Sequence, residues 1–213
     1  MDGRSIDCGE EHQWLIIHKG KEKVVETKDL LKAKLSYKHK KGGFTYPYAL
    51  PINDAIEFPT QDLNIHPYIL GILLGDGNIC SDGISFSCID LDIVERVKNL
   101  LGENYSLTPS KKGIGEYEFD SYYIKYIGKD KYINDSKGFN PLIREIKKLS
   151  LNVDFSKKFI PEIYKFSSKE QRLELLKGLL DSDGSISKEG CIEFTVKNET
   201  LAKIATLTNY ANK

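Results

Sequence analysis

Several features are absent from this 213-residue chain. No apolar run approaches the roughly 20 residues that a membrane-spanning helix needs, and residues 1–12 are acidic and polar where a secretion signal is basic and then apolar. We therefore expect a cytoplasmic protein without a membrane partner. Net charge is also lacking, because 31 Lys and Arg balance 31 Asp and Glu. The chain has no overall positive charge of the kind that attracts nucleic acid. A nucleic-acid partner therefore has to be inferred from local segments.

Cysteine is scarce and dispersed. The four cysteines, Cys8, Cys80, Cys88 and Cys191, show no C-x-x-C spacing, so neither a zinc site nor a disulfide framework is expected. What is present is the balance of an ordinary globular chain, with 40% hydrophobic, 29% charged and 10% aromatic residues. A chain of this length and composition is able to bury a sizeable core.

The first 51 residues have the pattern of short strands. Apolar runs at residues 14–17 and 24–25 flank a Lys- and Gly-containing turn, which predicts a hairpin. The lysine-rich segment 32–41, which contains Lys38, Lys40 and Lys41, has two interpretations: a contact with a phosphate backbone, or a solvated face beside a loop. Residues 52–66 are typical of a linker, and Pro67 is well placed to begin a helix.

An internal repeat is the most informative feature of the sequence. Residues 69–88 and 176–196 each predict an apolar helix that ends in Asp-Gly and leads into a short hairpin, followed by a second helical pattern. Ser168 stands three residues before Gln171, which predicts a capping box at the start of the second repeated helix. The repeat places Asp76 and Asp183 at the ends of corresponding helices, in an α+β fold with two related halves.

Small residues recur four positions apart in both helices: Gly71, Gly75, Gly178 and Ser182. Residues four apart share one helical face, so the helices can pair closely about a pseudo-two-fold axis and bring Asp76 and Asp183 side by side. Carboxylates at helix C-termini oppose the helix dipole and repel each other. A hard cation such as Mg²⁺ relieves that repulsion, which predicts a metal site. The alternative is that each Asp-Gly pair only forms the turn leaving its helix.

These segments resemble the paired LAGLIDADG motifs of DOD-type homing endonucleases, with residues 69–77 as the first copy and 176–184 as the second. The first copy has Leu74 where the second has Asp181, but both retain the later acid, which the family uses for metal. The resemblance implies two pseudo-symmetric halves, each a helix with an antiparallel saddle sheet that lies in a DNA groove. It also implies a monomer with an internal pseudo-dimer, in which both acids are catalytic and hold Mg²⁺.

The resemblance extends to endonucleases carried by inteins. Residues 157–184 are similar to the segment leading into the second motif, where a lysine before Phe-Ile-Pro is functional. The resemblance implies that Lys158 is the corresponding catalytic residue, which steadies charge in the transition state; the alternative is a solvated surface residue. Residues 2–16 resemble a block of the Hint splicing domain, which places on His12 the role of assisting an acyl shift, although Gly9 replaces the usual Thr. The terminal splicing nucleophiles of an intein are missing, so we expect truncation at both ends.

The resemblance implies a partial, mostly β Hint segment at 1–51, a linker at 52–66, a first half at 67–166 and an incomplete second half at 167–213. The expected function is site-specific double-strand DNA cleavage by metal-dependent phosphodiester hydrolysis. The alternatives are a catalytically inactive DNA-binding remnant and a fragment of a protein-splicing intein, whose partners are the exteins of a host protein. We expect this chain alone neither to splice nor to cut efficiently.

Candidate DNA contacts come from the hairpin strands and from the basic segment. The major groove admits a two-stranded ribbon, and side chains that alternate along a strand share the face that enters it. The candidates are Ser85, Ser87, Glu193 and Thr195 on the strands, with Lys38, Lys40 and Lys41 on the phosphate backbone.

Overall fold

The computed structural model describes residues 6–51, 55–80, 83–114, 117–129 and 140–202. Helices combine with antiparallel sheets, so the predicted α+β class is confirmed. The chain divides into two compact units, Met1–Asp54 and Ala55–Lys213, and the division falls inside the segment predicted as a linker. In the described ranges, no helix is long and apolar enough to cross a membrane.

The first unit is built on the predicted hairpin. Strands β1 (Gln13–His18) and β2 (Lys21–Glu26) pair antiparallel around a turn at Lys19 and Gly20, which both have positive φ. A short helix, α1 (Thr27–Lys32), follows. Trp14 Nε1 donates to Thr27 Oγ1 at 2.8 Å, which fastens the start of the helix to the hairpin.

The lysine-rich segment forms a second small hairpin. Strands β3 (Tyr37–Lys38) and β4 (Phe44–Thr45) pair antiparallel, and the turn between them uses Gly42 and Gly43 in the left-handed region. All residues from 37 to 46 are exposed. A further strand, β5 (Tyr48–Ala49), then pairs with β1.

The second unit has helix α2 (Pro67–Gly75) at its centre. Pro67 opens the helix, as predicted, and His66 Nδ1 accepts from the Tyr68 amide at 3.2 Å. Every residue of α2 is buried, because the helix is apolar on all sides and is surrounded by other elements.

A four-stranded antiparallel sheet follows α2, in the order β6-β7-β9-β8. Its strands are β6 (Gly77–Cys80), β7 (Gly83–Ser87), β8 (Tyr105–Ile114) and β9 (Tyr117–Tyr126), with helix α3 (Leu91–Leu101) between β7 and β8. Alternate side chains face the core: Ile79, Ile84, Phe86, Leu107, Tyr122 and Ile124. Period-two burial of this kind leaves the opposite face of the sheet polar.

The other described elements of this unit are helices and one small hairpin. The elements are α4 (Pro141–Lys148), α5 (Glu162–Lys165), α6 (Lys169–Asp183), β10 (Gly184–Ile186) and β11 (Ile192–Phe194). The predicted capping box is confirmed, because Ser168 and Gln171 bond reciprocally at the start of α6. Residues 199–202 are helical, and the remainder of the second helical pattern in this half lies outside the described residues.

Candidate functional site

Helices α2 and α6 meet through the four small residues that recur in the sequence. A Cβ atom added to Gly71 would lie 2.8 Å from the Gly178 Cα, and one added to Gly75 would lie 2.7 Å from the Ser182 Cβ. Real Cβ atoms do not approach other heavy atoms so closely, so the two backbones are in direct contact. The face predicted from the four-residue spacing is the face that packs.

This contact brings two acids to the same end of the helix pair. Asp76 is the C-cap of α2 and Asp183 is the last residue of α6. The two ends are built alike, because the Ser87 amide donates to the Asp76 carbonyl and the Thr195 amide donates to the Asp183 carbonyl, each at 3.3 Å. Each acid therefore lies where a helix turns into its hairpin.

The charges of the two carboxyls are only partly compensated by the positive charge of Lys158. Burial raises the pKa of Asp76 to about 6, with the negative charge of Asp183 as a second cause and the positive charge of Lys158 opposing both. Burial also raises the pKa of Asp183, again against the influence of Lys158. Asp183 Oδ2 is buried and has no hydrogen-bond partner among the described residues. A buried anionic oxygen without a donor is costly, so the arrangement favours a cation.

Lys158 is a buried residue at the end of α2. The solvated-surface alternative is wrong, because only 2% of the residue is exposed. Its Nζ donates to the carbonyls of Leu73 at 2.8 Å, Leu74 at 3.3 Å and Gly77 at 2.7 Å. Burial lowers the pKa of Lys158 to about 8, while the two acids raise it. The ammonium binds the end of α2 and lies near both carboxylates without an ion pair to either in the described residues.

A cavity of about 520 Å³ opens beside Asp76. Four carboxylates line it, from Asp76, Asp90, Asp120 and Asp181. A phosphodiester that approaches these four carboxylates is repelled by their negative charge. Cations are therefore needed for it to approach. Within the described ranges, no group of three or more His, Cys, Asp or Glu side chains is arranged to hold a metal. Two carboxylates remain the available protein ligands, and Mg²⁺ takes most of its remaining ligands from water and phosphate oxygens.

A polar brace missed by sequence reasoning joins α3, α2 and α6 near this site. Tyr68 Oη donates to Asp181 Oδ2 at 2.6 Å, and the Arg96 guanidinium lies 3.8 Å from the centroid of the Tyr68 ring. Arg96 also donates to Glu174 Oε2 at 2.8 Å. Asp181, the acid without a counterpart in the first repeat, is thus held by a tyrosine. Only the three-dimensional packing brings these residues together.

The outer face of the four-stranded sheet is the candidate nucleic-acid surface. Its residues alternate with the core-facing ones in the observed register. They are small polar, aromatic or basic: Asn78, Ser85, Ser87, Ser106, Thr108, Ser121, Tyr123 and Lys125. Ser85 is a correction, since it is only 2% exposed between larger neighbours and has no surface to offer a base. Ser121 is 1% exposed and is excluded for the same reason. Ser87 is half-buried and also lines the acidic cavity, while Lys125 is exposed.

The other predicted contact residues lie on exposed strands and turns. Glu193 and Thr195 are exposed on and after β11. Lys38, Lys40 and Lys41 are exposed on the β3–β4 hairpin of the first unit. His12 is also exposed, with its ring 4.7 Å from that of Trp14.

Comparison with known proteins finds a distant similarity. No protein-family model matches the chain. Over 148 residues the chain is 26% identical to a replicative DNA helicase DnaB from Mycobacterium intracellulare, an alignment that covers 70% of this chain and 19% of that protein. The chain thus spans about a fifth of the length of the curated relative it matches.

Proposed function

We propose that this chain is a site-specific double-strand DNA endonuclease of the LAGLIDADG homing type, derived from an intein. The observation that carries the proposal is the pair of helices in backbone contact, each ending in an acid whose pKa is raised. Turn formation alone does not require the acids of two separate turns to be adjacent. A shared chemical task explains why both are there.

In this proposal Asp76 and Asp183 hold Mg²⁺ at the junction of two pseudo-symmetric halves. The bound metal supplies Lewis-acid activation of a scissile phosphate and of a water molecule. The protein fixes the two carboxylates on rigid helix ends and excludes bulk water from Asp183 Oδ2. The orphaned oxygen and the acidic cavity both fit a cation, because each leaves negative charge without a protein partner.

The four-stranded sheet supplies the DNA contact in the same proposal. Its outer face carries the half-buried hydroxyl side chains of Ser87, Ser106 and Thr108 together with Tyr123 and Lys125, which suit base edges and phosphates. β7 of this sheet ends at Ser87, whose amide bonds to the Asp76 carbonyl, so DNA on this face passes close to the acid. Glu193 and Thr195 are the corresponding contacts from the shorter sheet of the second half.

The first unit is proposed to be part of a Hint splicing fold, with His12 in its family role. A match that covers 19% of a larger protein is what an element inserted into a host would give. The relative is named a DNA helicase, but this sequence has no G-x-x-x-x-G-K-[ST] phosphate-binding loop. We therefore do not extend helicase activity to this chain.

The deciding experiment compares Asp76→Asn and Asp183→Asn with the unmodified sequence, each in the full-length protein. The substrate is DNA that carries the sequence flanking the coding region with the insert removed, in Mg²⁺. Each variant is expected to lose nicking and double-strand cleavage almost completely while DNA affinity changes little, because phosphate contacts elsewhere supply most of the binding.

The matched control is Asp92→Asn, the same change at an exposed acid in the first turn of α3. It is expected to cut like the unmodified protein. Cleavage that persists in Asp76→Asn or Asp183→Asn would remove the catalytic role of the pair. Mg²⁺-independent binding without cleavage by every protein would favour the DNA-binding remnant instead.

A further inference from the structure

Lys158 has no donor left for DNA. An ammonium has three protons, and Lys158 Nζ has three acceptors, the carbonyls of Leu73, Leu74 and Gly77, at 2.7 to 3.3 Å. With 2% of the residue exposed, a phosphate reaches this group only if the arrangement is broken. Lys158 therefore acts through the backbone that it binds.

That backbone is the segment carrying Asp76. Leu73 and Leu74 belong to the last turn of α2, whose carbonyls have no partner within the helix, and Gly77 opens β6. The three acceptors flank Asp76 on both sides along the chain. A cation at this point is stabilised by the negative end of the helix dipole. It also offsets the free-energy cost of placing the Asp76 carboxylate there.

Lys158 is itself held by a residue of the second repeat. Asn198 Nδ2 donates to the Lys158 carbonyl at 2.6 Å, and Asn198 Oδ1 accepts from the amides of Thr200 at 2.9 Å and Leu201 at 3.3 Å. Asn198 is 4% exposed. One side chain thus caps the start of the helical segment 199–202 and fastens the turn that presents Lys158.

We propose that Asn198 and Lys158 are positioning residues that form a relay from the second repeat to Asp76. Asn198 fixes the Lys158 backbone, the Lys158 ammonium fixes the end of α2, and the end of α2 sets the place of the Asp76 carboxylate. This inference rests on the proposed function for its catalytic consequence, but the relay itself has a readout that does not need DNA.

The test uses Asn198→Asp in the full-length protein, because Asp retains the cap acceptor and loses the amide donor to the carbonyls of Lys158 and Phe155. The matched control is Asn140→Asp. Asn140 Oδ1 likewise caps α4, by accepting from the Leu142 amide, while its Nδ2 donates to the Ile124 carbonyl at 2.9 Å. The pair Asn198→Ser and Asn140→Ser repeats the comparison without adding charge.

We expect amide hydrogen exchange over residues 75–80 and 83–87 to quicken by about tenfold in both Asn198 variants and to stay unchanged in both Asn140 variants. Single-turnover cleavage in Mg²⁺ should slow by about tenfold to a hundredfold with unchanged DNA affinity, because a small displacement of a reacting group is costly. Unchanged exchange in the Asn198 variants, or an equal increase in the Asn140 variants, overturns the relay. Faster exchange in a protein that never cuts DNA supports the relay and removes the proposed function.

Discussion

At the scale of single residues, the site is defined by charge that the fold does not neutralise. Loss of solvation is the main reason that the charged form of Asp76 is disfavoured, and the charge of Asp183 adds to the penalty at the negative end of α2. The Lys158 ammonium opposes these effects without contacting either carboxylate in the described residues. Groups of this kind destabilise the folded chain near neutral pH and gain a partner only when a cation binds.

This gives a prediction about stability and pH in EDTA. The pKa of Asp76 is 3.8 in a model compound and about 6 in the fold, so the folded state binds more protons than the unfolded state between those values. The free energy of unfolding should therefore fall as pH rises from about 4 to about 6. Asp76→Asn removes this contribution and should be more stable at pH 7 by about 1 kcal/mol, allowing for solvent screening.

Urea unfolding at several pH values measures the effect. Asp92→Asn serves as the control, because it removes a charge from the exposed surface of α3 and should leave the slope between pH 4 and 6 in place. If the free energy of unfolding of Asp76→Asn still falls as pH rises, the remaining fall is due to Asp183. Burial raises the pKa of Asp183 as well. Equal slopes in the unmodified protein and Asp76→Asn would show that Asp76 is not strained by its surroundings.

The candidate acids were accessible from the sequence, whereas their surroundings were not. Asp76 and Asp183 stand at matching places in a repeat, which a single sequence displays. Lys158 could be singled out only by resemblance, and its three carbonyl acceptors depend on a turn that folds back over the end of α2. Asn198 had a local signal, since Asn before a helical pattern is a typical cap, but nothing in the sequence indicates its bond to Lys158.

At the scale of elements, the contact between α2 and α6 controls the distance between the acids. Glycine is required there because the backbone of one helix occupies the space that a side chain would fill. Gly71→Ala would place its methyl group 2.8 Å from the Gly178 Cα and the Leu179 amide nitrogen. Neither neighbour is a flexible side chain, so the helices must separate.

We predict that Gly71→Ala lowers the free energy of unfolding by about 3 kcal/mol, the upper range for overpacking, and reduces cleavage as well. Gly83→Ala is the control, because a Cβ atom there meets nothing within 4 Å. Thermal unfolding of both variants gives the comparison. A similar loss of stability in the two variants would mean that the cost is that of replacing any glycine and not of forcing the helices apart.

The elements themselves were largely predictable. Four-residue spacing of small residues predicted the helix face, Pro67 and the Ser168 capping box predicted two helix starts, and the first hairpin followed from its apolar runs. The pairing of β7 with β9 was not predictable, because the two strands are separated by α3 and β8, and sheet order between distant strands depends on tertiary packing. The burial of Ser85 and Ser121 on the outer face follows from that pairing.

At the scale of the whole molecule, the net charge of zero is the sum of a region rich in acids and a segment rich in lysine. Acids concentrate around the cavity beside Asp76 in the second unit. Residues 32–51 of the first unit contain five lysines and no acid, and the β3–β4 hairpin exposes Lys38, Lys40 and Lys41. Composition alone therefore excludes only a uniform basic field and not a local contact with phosphates.

The corresponding prediction concerns the salt dependence of DNA binding. Changing Lys38, Lys40 and Lys41 together to Gln should reduce the slope of log Kobs against log salt concentration by up to about 2.7, which is about 0.9 for each phosphate that a lysine no longer neutralises. The single-turnover cleavage rate at saturating DNA should not change, because these lysines lie in the first unit and the two acids in the second. The control changes Lys19, Lys21 and Lys23 to Gln, which removes the same charge from exposed positions of the same unit.

If the β3–β4 hairpin lies along the phosphate backbone, only the change of Lys38, Lys40 and Lys41 alters the slope strongly. Equal slopes for the two triple variants would mean that the lysines act through total charge, and the hairpin would then be the solvated face that the sequence left as its alternative.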